Sequence, residues 1–268
     1  SRYFSRDTNF GTGPNSSRVE SWSASATVSW DLGPAEVKSI TAYRSLEGAF
    51  AQDRDGSPLK ISHVADSYDQ QQFSQEFQFQ GQAFDERLNW LVGLYYFTED
   101  GANLNPVDFL PVAVQSGGRF DYESWAIFTQ ETLRVTDKLS ITAGLRYTKD
   151  KKDYTPDQFF AALPFGPLFT CFTPTTHTCA VGDRVVPKSV VKSRSDAITP
   201  MINVSYQVTD DTMAYATFSR GYKSGGFTQR IFPPEVSLPA FDPEEVDSYE
   251  AGVKFQTADR RLRLNVAT

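Results

Sequence analysis

Reactive and metal-binding side chains are scarce in this 268-residue chain, which has two histidines and two cysteines. His63 and His177 lie far apart in predicted loops, so no nucleophile, histidine and carboxylate combine into a recognisable catalytic triad. Long apolar runs are missing as well. The longest, Trp90 to Phe97, falls well short of the roughly 20 residues needed by a spanning helix, and the mean hydropathy is -0.41. A helical membrane protein is therefore excluded. Runs of Lys and Arg are also absent, and a formal net charge of -7 argues against a nucleic-acid partner, whose phosphates require a basic face. The opening Ser1-Arg2-Tyr3-Phe4 does not read as a secretory leader, so the sequence is expected to be either a mature chain or one whose beginning lies elsewhere.

What the chain does have is aromatic weight and a rhythm. Aromatic residues make up 14%, with 21 Phe and 12 Tyr. Short turn-forming connections occur at 31–35, 83–87, 136–138, 209–212 and 257–260. Long polar connections are expected between them, at 52–67, 101–118, 153–192 and 221–245, with an opening stretch from Ser1 to about Glu20 resembling another. In an up-and-down meander every second connection lies at the same end, so one rim is trimmed and the other decorated. Transmembrane barrels have this asymmetry, and their alternating strands average out polar.

The segments between connections alternate with period two. Leu139, Ile141, Ala143, Leu145 and Tyr147 oppose Ser140, Thr142, Gly144, Arg146 and Thr148. Trp22 to Trp30, Ile198 to Tyr206 and Leu262 to Val266 repeat the pattern, with a Trp at each end of the first, where an interfacial aromatic belt belongs. Trp90 to Phe97 and Trp125 to Phe128 are apolar on both faces. The pattern predicts about ten strands, near 21–31, 36–51, 68–82, 88–100, 119–135, 140–152, 193–208, 212–220, 246–257 and 261–268.

Two stretches resemble a known family. Tyr215-Ala216-Thr217-Phe218-Ser219-Arg220-Gly221-Tyr222-Lys223-Ser224-Gly225-Gly226-Phe227, with Phe241-Asp242-Pro243-Glu244 and Ser248 to Lys254, resembles the barrel of TonB-dependent outer-membrane receptors. So does Ala126-Ile127-Phe128 leading through Leu133 to Leu139 and on to Ala143-Gly144-Leu145-Arg146-Tyr147. Weaker echoes are Ser39 to Arg44 and Ser74 to Phe77. The resemblance implies an all-β, antiparallel up-and-down transmembrane β-barrel of 22 strands. Residues 1–268 then form a partial barrel, without the plug domain or the closing C-terminal strands. It further implies an outer-membrane receptor, with long loops outside a Gram-negative cell, that imports a scarce nutrient. A ferric siderophore is expected first, cobalamin or an oligosaccharide next. The implied partners are outer-membrane lipid and a TonB-type energising protein, reached through an N-terminal segment this chain does not show. A ten-strand outer-membrane protease and a soluble carbohydrate-binding β-sandwich are the alternative readings.

Candidate sites are few, and no catalytic residue, cofactor or resident metal is expected. Cys171 and Cys179, in the longest loop, suit a disulfide in an oxidising compartment; free thiols are the alternative, and His177 between them does not complete zinc spacing. Phe159, Phe160, Phe165, Phe169 and Phe172 form an aromatic cluster that can stack on a ligand or hold its own loop together. Arg146 and Lys254 are inward cations able to guide an anionic substrate. Gly221 to Gly226 superficially resembles a phosphate loop but lacks the spacing before Gly-Lys-Ser and a following helix. Asp53 with Asp55, and Asp242, Glu244, Glu245 and Asp247, offer calcium-type oxygens without completing a calcium loop.

Overall fold

The computed structural model describes residues 10–110, 112–166 and 168–268, so part of the opening stretch expected up to Glu20 lies outside the described residues. Its long strands are β1 (Ser16–Asp31), β2 (Ala35–Asp53), β3 (Ser62–Ala83), β4 (Leu88–Phe109), β5 (Val112–Arg134) and β6 (Leu139–Pro156). The short pieces β7 (Phe159–Ala162), β8 (Thr170–Cys171) and β9 (His177–Thr178) follow, then β10 (Val191–Thr209) and β11 (Thr212–Lys223). Finally come β12 (Gly226–Phe227), β13 (Ala240–Phe241), β14 (Glu244–Gln256) and β15 (Arg263–Ala267).

The ten long strands form one antiparallel path, β1-β2-β3-β4-β5-β6-β10-β11-β14-β15, with β7 beside β5. Each neighbour follows the last, as a meander requires. The path does not close, because β1 and β15 stand at opposite ends of it. A closed ten-strand barrel and a two-sheet sandwich are both absent from this arrangement. No helix among the described residues is long and apolar enough to cross a membrane.

One expectation fails. Residues 101–118 are not a loop: β4 and β5 continue past the other strands and reverse between Phe109 and Val112. Asn103, Asn105, Pro106, Gly117 and Gly118 read as turn residues, yet each is accommodated in the ladder. Pro106 has no N–H to donate, and pairing with β3 lapses there, resuming at Val64↔Val107 and Ser67↔Leu104. The buried Asn105 amide replaces the missing bond by donating to Ala65 O at 2.7 Å, and Ser116 Oγ donates to Asn105 O at 3.0 Å. Gly117 has φ +131°, and a side chain there would run into the backbone of Asn103, so only glycine fits.

The two sheet faces differ. Ile198 (58%), Ile202 (45%) and Val204 (38%) stay exposed on one face of β10, with Leu94, Ile127 and Leu145 on the same face of their strands. Apolar residues recur on this face of most long strands, interrupted by Ser39 and Thr41 on β2 and by Thr129 and Glu131 on β5, and an exposed stripe of this extent suits contact with lipid. Its upper edge is aromatic: Trp22, Tyr43, Phe73, Tyr96, Trp125, Tyr147, Phe218 and Tyr249 lie along it on this face of their strands. Rings touch along this edge, at 5.1 Å for Trp22–Tyr43, 5.5 Å for Trp125–Tyr147 and 5.0 Å for Phe218–Tyr249. The edge drifts against register: Tyr96 lies opposite Trp125, but Trp125 lies opposite Lys149, two residues past Tyr147. Such stagger is what tilted barrel strands produce. From Leu139 to Tyr147 the stripe measures about 26 Å along the strand, the height of an outer-membrane apolar band.

Candidate functional site

The site is the mouth of the polar face, where the strands rise beyond the aromatic edge and two long connections fold onto them. Residues 157–190 join β6 to β10, and residues 224–243 join β11 to β14. Together with the strand ends they bury one cluster: Val112, Tyr154, Phe160, Cys171, Cys179, Val185, Val186, Ile231 and Leu238. Burial pushes the Tyr154 phenol up to about 12, and its ring stacks on Phe227 at 6.3 Å.

A single amide locks the two connections together. Gln158 is fully buried; its Nε2 donates to Gln229 O at 2.6 Å and its Oε1 accepts from Ile231 N at 3.3 Å. Glu235 N adds a bond to Val185 O at 2.9 Å. The 224–243 segment then crosses the polar face to β3, where the Arg230 guanidinium meets the Asp66 carboxylate at 3.4 Å. This segment is a strap over the wall of the mouth. Beneath it, Lys152 Nζ stands 5.5 Å from the Tyr122 ring, which stacks on Phe120 at 5.1 Å, and Gln72 Nε2 donates to Glu99 at 3.3 Å. Partial burial lowers the Lys152 ammonium and raises the Glu99 carboxyl. An amphipathic, hydrogen-bonding wall of this kind can hold a polar ligand with aromatic or chelating groups.

The expected site residues divide. Cys171 and Cys179 are bonded, with Cα atoms 5.1 Å apart, and both are buried. Phe160 is buried against Phe169 at 5.8 Å, Phe169 meets Phe232 at 5.0 Å, and Phe159 lies under the Arg184 guanidinium at 5.7 Å. These three rings hold the loops together. Phe165 is 65% exposed and Phe172 half-buried. Arg146 lies lower, its guanidinium 5.4 Å from both the Tyr95 and Phe128 rings, within the membrane-spanning part. Lys254 lies at the opposite, short-turn end, 5.0 Å from the Tyr215 ring. Neither cation joins the mouth. Gln158, Lys152 and the Asp66–Arg230 pair escape sequence reading because their partners are distant in the chain.

Most of the cation candidates are already satisfied, and Asp242 stands exposed. Asp53 accepts backbone N–H groups from Gly56, Gly13, Thr12 and Asp55, and the first three hold its carboxyl below the usual range. Asp55 is held at about 2 by the Ser57 hydroxyl and the N–H groups of Ser62, Ser57 and Ile61. Both carboxylates fold the 54–61 turn. Asp247 receives two bonds from Arg220 at 2.7 and 2.9 Å, Glu245 meets Arg220 at 3.4 Å, and Glu244 meets Lys223 at 3.5 Å. The Cys171, His177 and Asp183 grouping has its sulfur in the disulfide. Gly225 and Gly226 admit the close approach of Phe241 between β12 and β13, and no helix follows them.

Known proteins share this architecture. The chain is 26% identical over 152 residues to the pesticin receptor of Yersinia enterocolitica, a match covering 56% of this chain and 19% of the receptor. It is 41% identical over 71 residues to the metal-pseudopaline receptor CntO of Pseudomonas aeruginosa, covering 26% of this chain and 9% of that protein. The crystal structure of the ferric yersiniabactin uptake receptor FyuA from Yersinia pestis superposes with a TM-score of 0.76 at 20% identity, over 96% of this chain and 36% of that one. The siderophore receptor PiuA from Acinetobacter baumannii does so with a TM-score of 0.65 at 15% identity, over 94% and 40%. The chain thus spans about a fifth to two fifths of these relatives, except the shorter match to CntO. Residues 1–268 as a whole match the TonB dependent receptor-like, beta-barrel model, and the chain belongs to that family.

Proposed function

We propose that this chain is part of the wall and mouth of an outer-membrane receptor that takes up a ferric siderophore, using energy delivered by a TonB-type partner. The family comprises receptors and transporters rather than enzymes. The observation that carries the reading is the pairing of faces: an apolar outer stripe bounded by aromatics, and a polar inner wall over which the long connections fold. Such an object presents a ligand-sized polar mouth at one end of a membrane-crossing wall. The names of relatives support the cargo class, since one is a metal-pseudopaline receptor and one structural neighbour a ferric yersiniabactin uptake receptor. The loop-bearing rim faces the cell exterior in this reading.

The test is uptake of radiolabelled iron bound to a panel of siderophores, in iron-starved cells carrying or lacking the full-length gene. Uptake that requires both the gene and an energised TonB system is expected. Iron-independent expression with no loss of uptake for any siderophore, cobalamin or oligosaccharide on deletion overturns the proposal.

A further inference from the structure

Arg44 is the charged side chain that the inward face of the wall leaves without a partner. The inward charges nearest to it are engaged: Glu36 with Lys38, Glu76 with Gln78, Glu99 with Gln72 and Asp66 with Arg230. Among the described residues Arg44 has no hydrogen bond, ion pair or ring contact, and it is exposed. The register places it opposite Ser23 of β1 and Gln72 of β3. The inward residues flanking those two are Ser21, Ser25, Gln70 and Ser74, all of them uncharged. Directly opposed side chains have Cβ atoms about 5 Å apart, so the Ser23 hydroxyl and the Gln72 amide lie within reach of whatever the guanidinium holds. Gln72 gives one of its two amide hydrogens to Glu99 at 3.3 Å and keeps the other. A guanidinium is thus set among hydrogen-bond donors, with no carboxylate in its own patch.

The position and surroundings of this patch select its occupant. Arg44 follows Tyr43 of the aromatic edge along β2 and faces the other way, which sets it at the floor of the mouth. The strap meets β3 at Asp66, higher on the wall than Gln72, and leaves Arg44 uncovered. A guanidinium is planar, permanently charged and matched to a carboxylate by two parallel N–H bonds. No aromatic side chain belongs to the patch, so a catechol ring has no face to stack on there. The two oxygens of a carboxylate can instead take the fork together with the Ser23 hydroxyl or the Gln72 amide. We infer that Arg44, with Ser23 and Gln72, forms an anion site that holds a free carboxylate of the cargo at the floor of the mouth. The inference rests on the proposed reading of the chain as a receptor wall, and it narrows the cargo to carboxylate-bearing chelates.

The experiment uses the full-length receptor in detergent micelles, with citrate as the carboxylate probe and glucose as the uncharged control. Reaction of Arg44 with phenylglyoxal is followed by mass spectrometry. Arg220, held by Asp247 on the outward face, is the internal reference for effects of ionic strength. Arg44 is expected to react freely in the receptor alone and roughly tenfold more slowly in millimolar citrate, with no change in glucose. The Ser23→Ala/Gln72→Leu double variant is expected to lose most of that protection. Equal rates in citrate and glucose, or full protection in the double variant, overturn the inference. An Arg44 that is unreactive before citrate is added shows a carboxylate of the receptor itself already seated there, and overturns the cargo as its source. The two readings fail separately: no gene-dependent uptake of any siderophore overturns the receptor reading, whereas equal labelling rates overturn this site in a receptor that transports.

Discussion

Arg230 and Asp66 meet at 3.4 Å across 164 residues of sequence, and their pairing carries the 224–243 strap from β11 back to the β3 wall. Asp66 is largely covered whereas Arg230 is 58% exposed, so the pair sits at the border between wall and solvent. Burial raises the Asp66 carboxyl and Arg230 opposes that rise.

Arg230→Ala is expected to change global stability by less than about 1 kcal/mol, as exposed pairs do. Its local effect is larger: amide exchange of Gln229 to Phe232 accelerates severalfold, while β5 and β6 are unaffected. Unchanged exchange in the strap would show that the pair does not fasten it.

Gln158→Leu removes both of its bonds between the connections and leaves Ile231 N buried without a partner, whereas Gln229 O stays within reach of solvent. The expected cost is about 1–3 kcal/mol, the contribution of one orphaned buried group. Limited proteolysis should cut the variant within 224–243 under conditions that spare the parent.

The 157–190 connection is pH-sensitive through His177 and Asp183. His177 Nδ1 donates to Thr175 O at 2.6 Å and its other nitrogen meets Asp183 Oδ2 at 2.8 Å, and both contacts raise the imidazole above its ordinary value. The Ala180 N–H and His177 hold Asp183 below its own. A raised histidine contributes stability that is complete below about pH 6.5 and lost as pH rises through its folded value. A lowered aspartate contributes above about pH 3.9 and loses its contribution as pH falls through the folded value. Exchange protection around Cys179 is therefore greatest between these limits and declines from pH 6 to 8. His177→Gln should flatten that decline.

The lipid face is tested by Ile202→Arg, which places a charge on the apolar stripe, against Asn203→Arg on the polar face. The first should destabilise the folded receptor in lipid by about 2–4 kcal/mol and the second by much less. Folding titrations of the full-length receptor in vesicles compare them. Equal costs would mean that the faces are assigned wrongly.

Strand positions were legible because alternation is local. Leu139 to Tyr147 displays its two faces in nine consecutive residues, and β6 forms where that pattern lies. The projecting hairpin was not legible. Asn105, Pro106 and Gly117 have turn propensity, and only the partners supplied by Ala65, Ser116 and Asn103 make a ladder of them. The disulfide could be anticipated from two nearby cysteines in one loop. Of the aromatic cluster beside it, Phe160 and Phe169 became core and Phe165 stayed exposed, a division that depends on how residues 224–243 pack over the loop.

The amino-acid sequence alone determined the all-β class, the ten strands, the short turns and the apolar stripe, because each depends on neighbours a few residues apart. Tertiary structure decided the membership of the mouth. Gln158 reaches Gln229 and Asp66 reaches Arg230 only after the intervening strands pair. Polar contacts separated by 71 and 164 residues have no signature in local composition, since burial and alignment give them their strength.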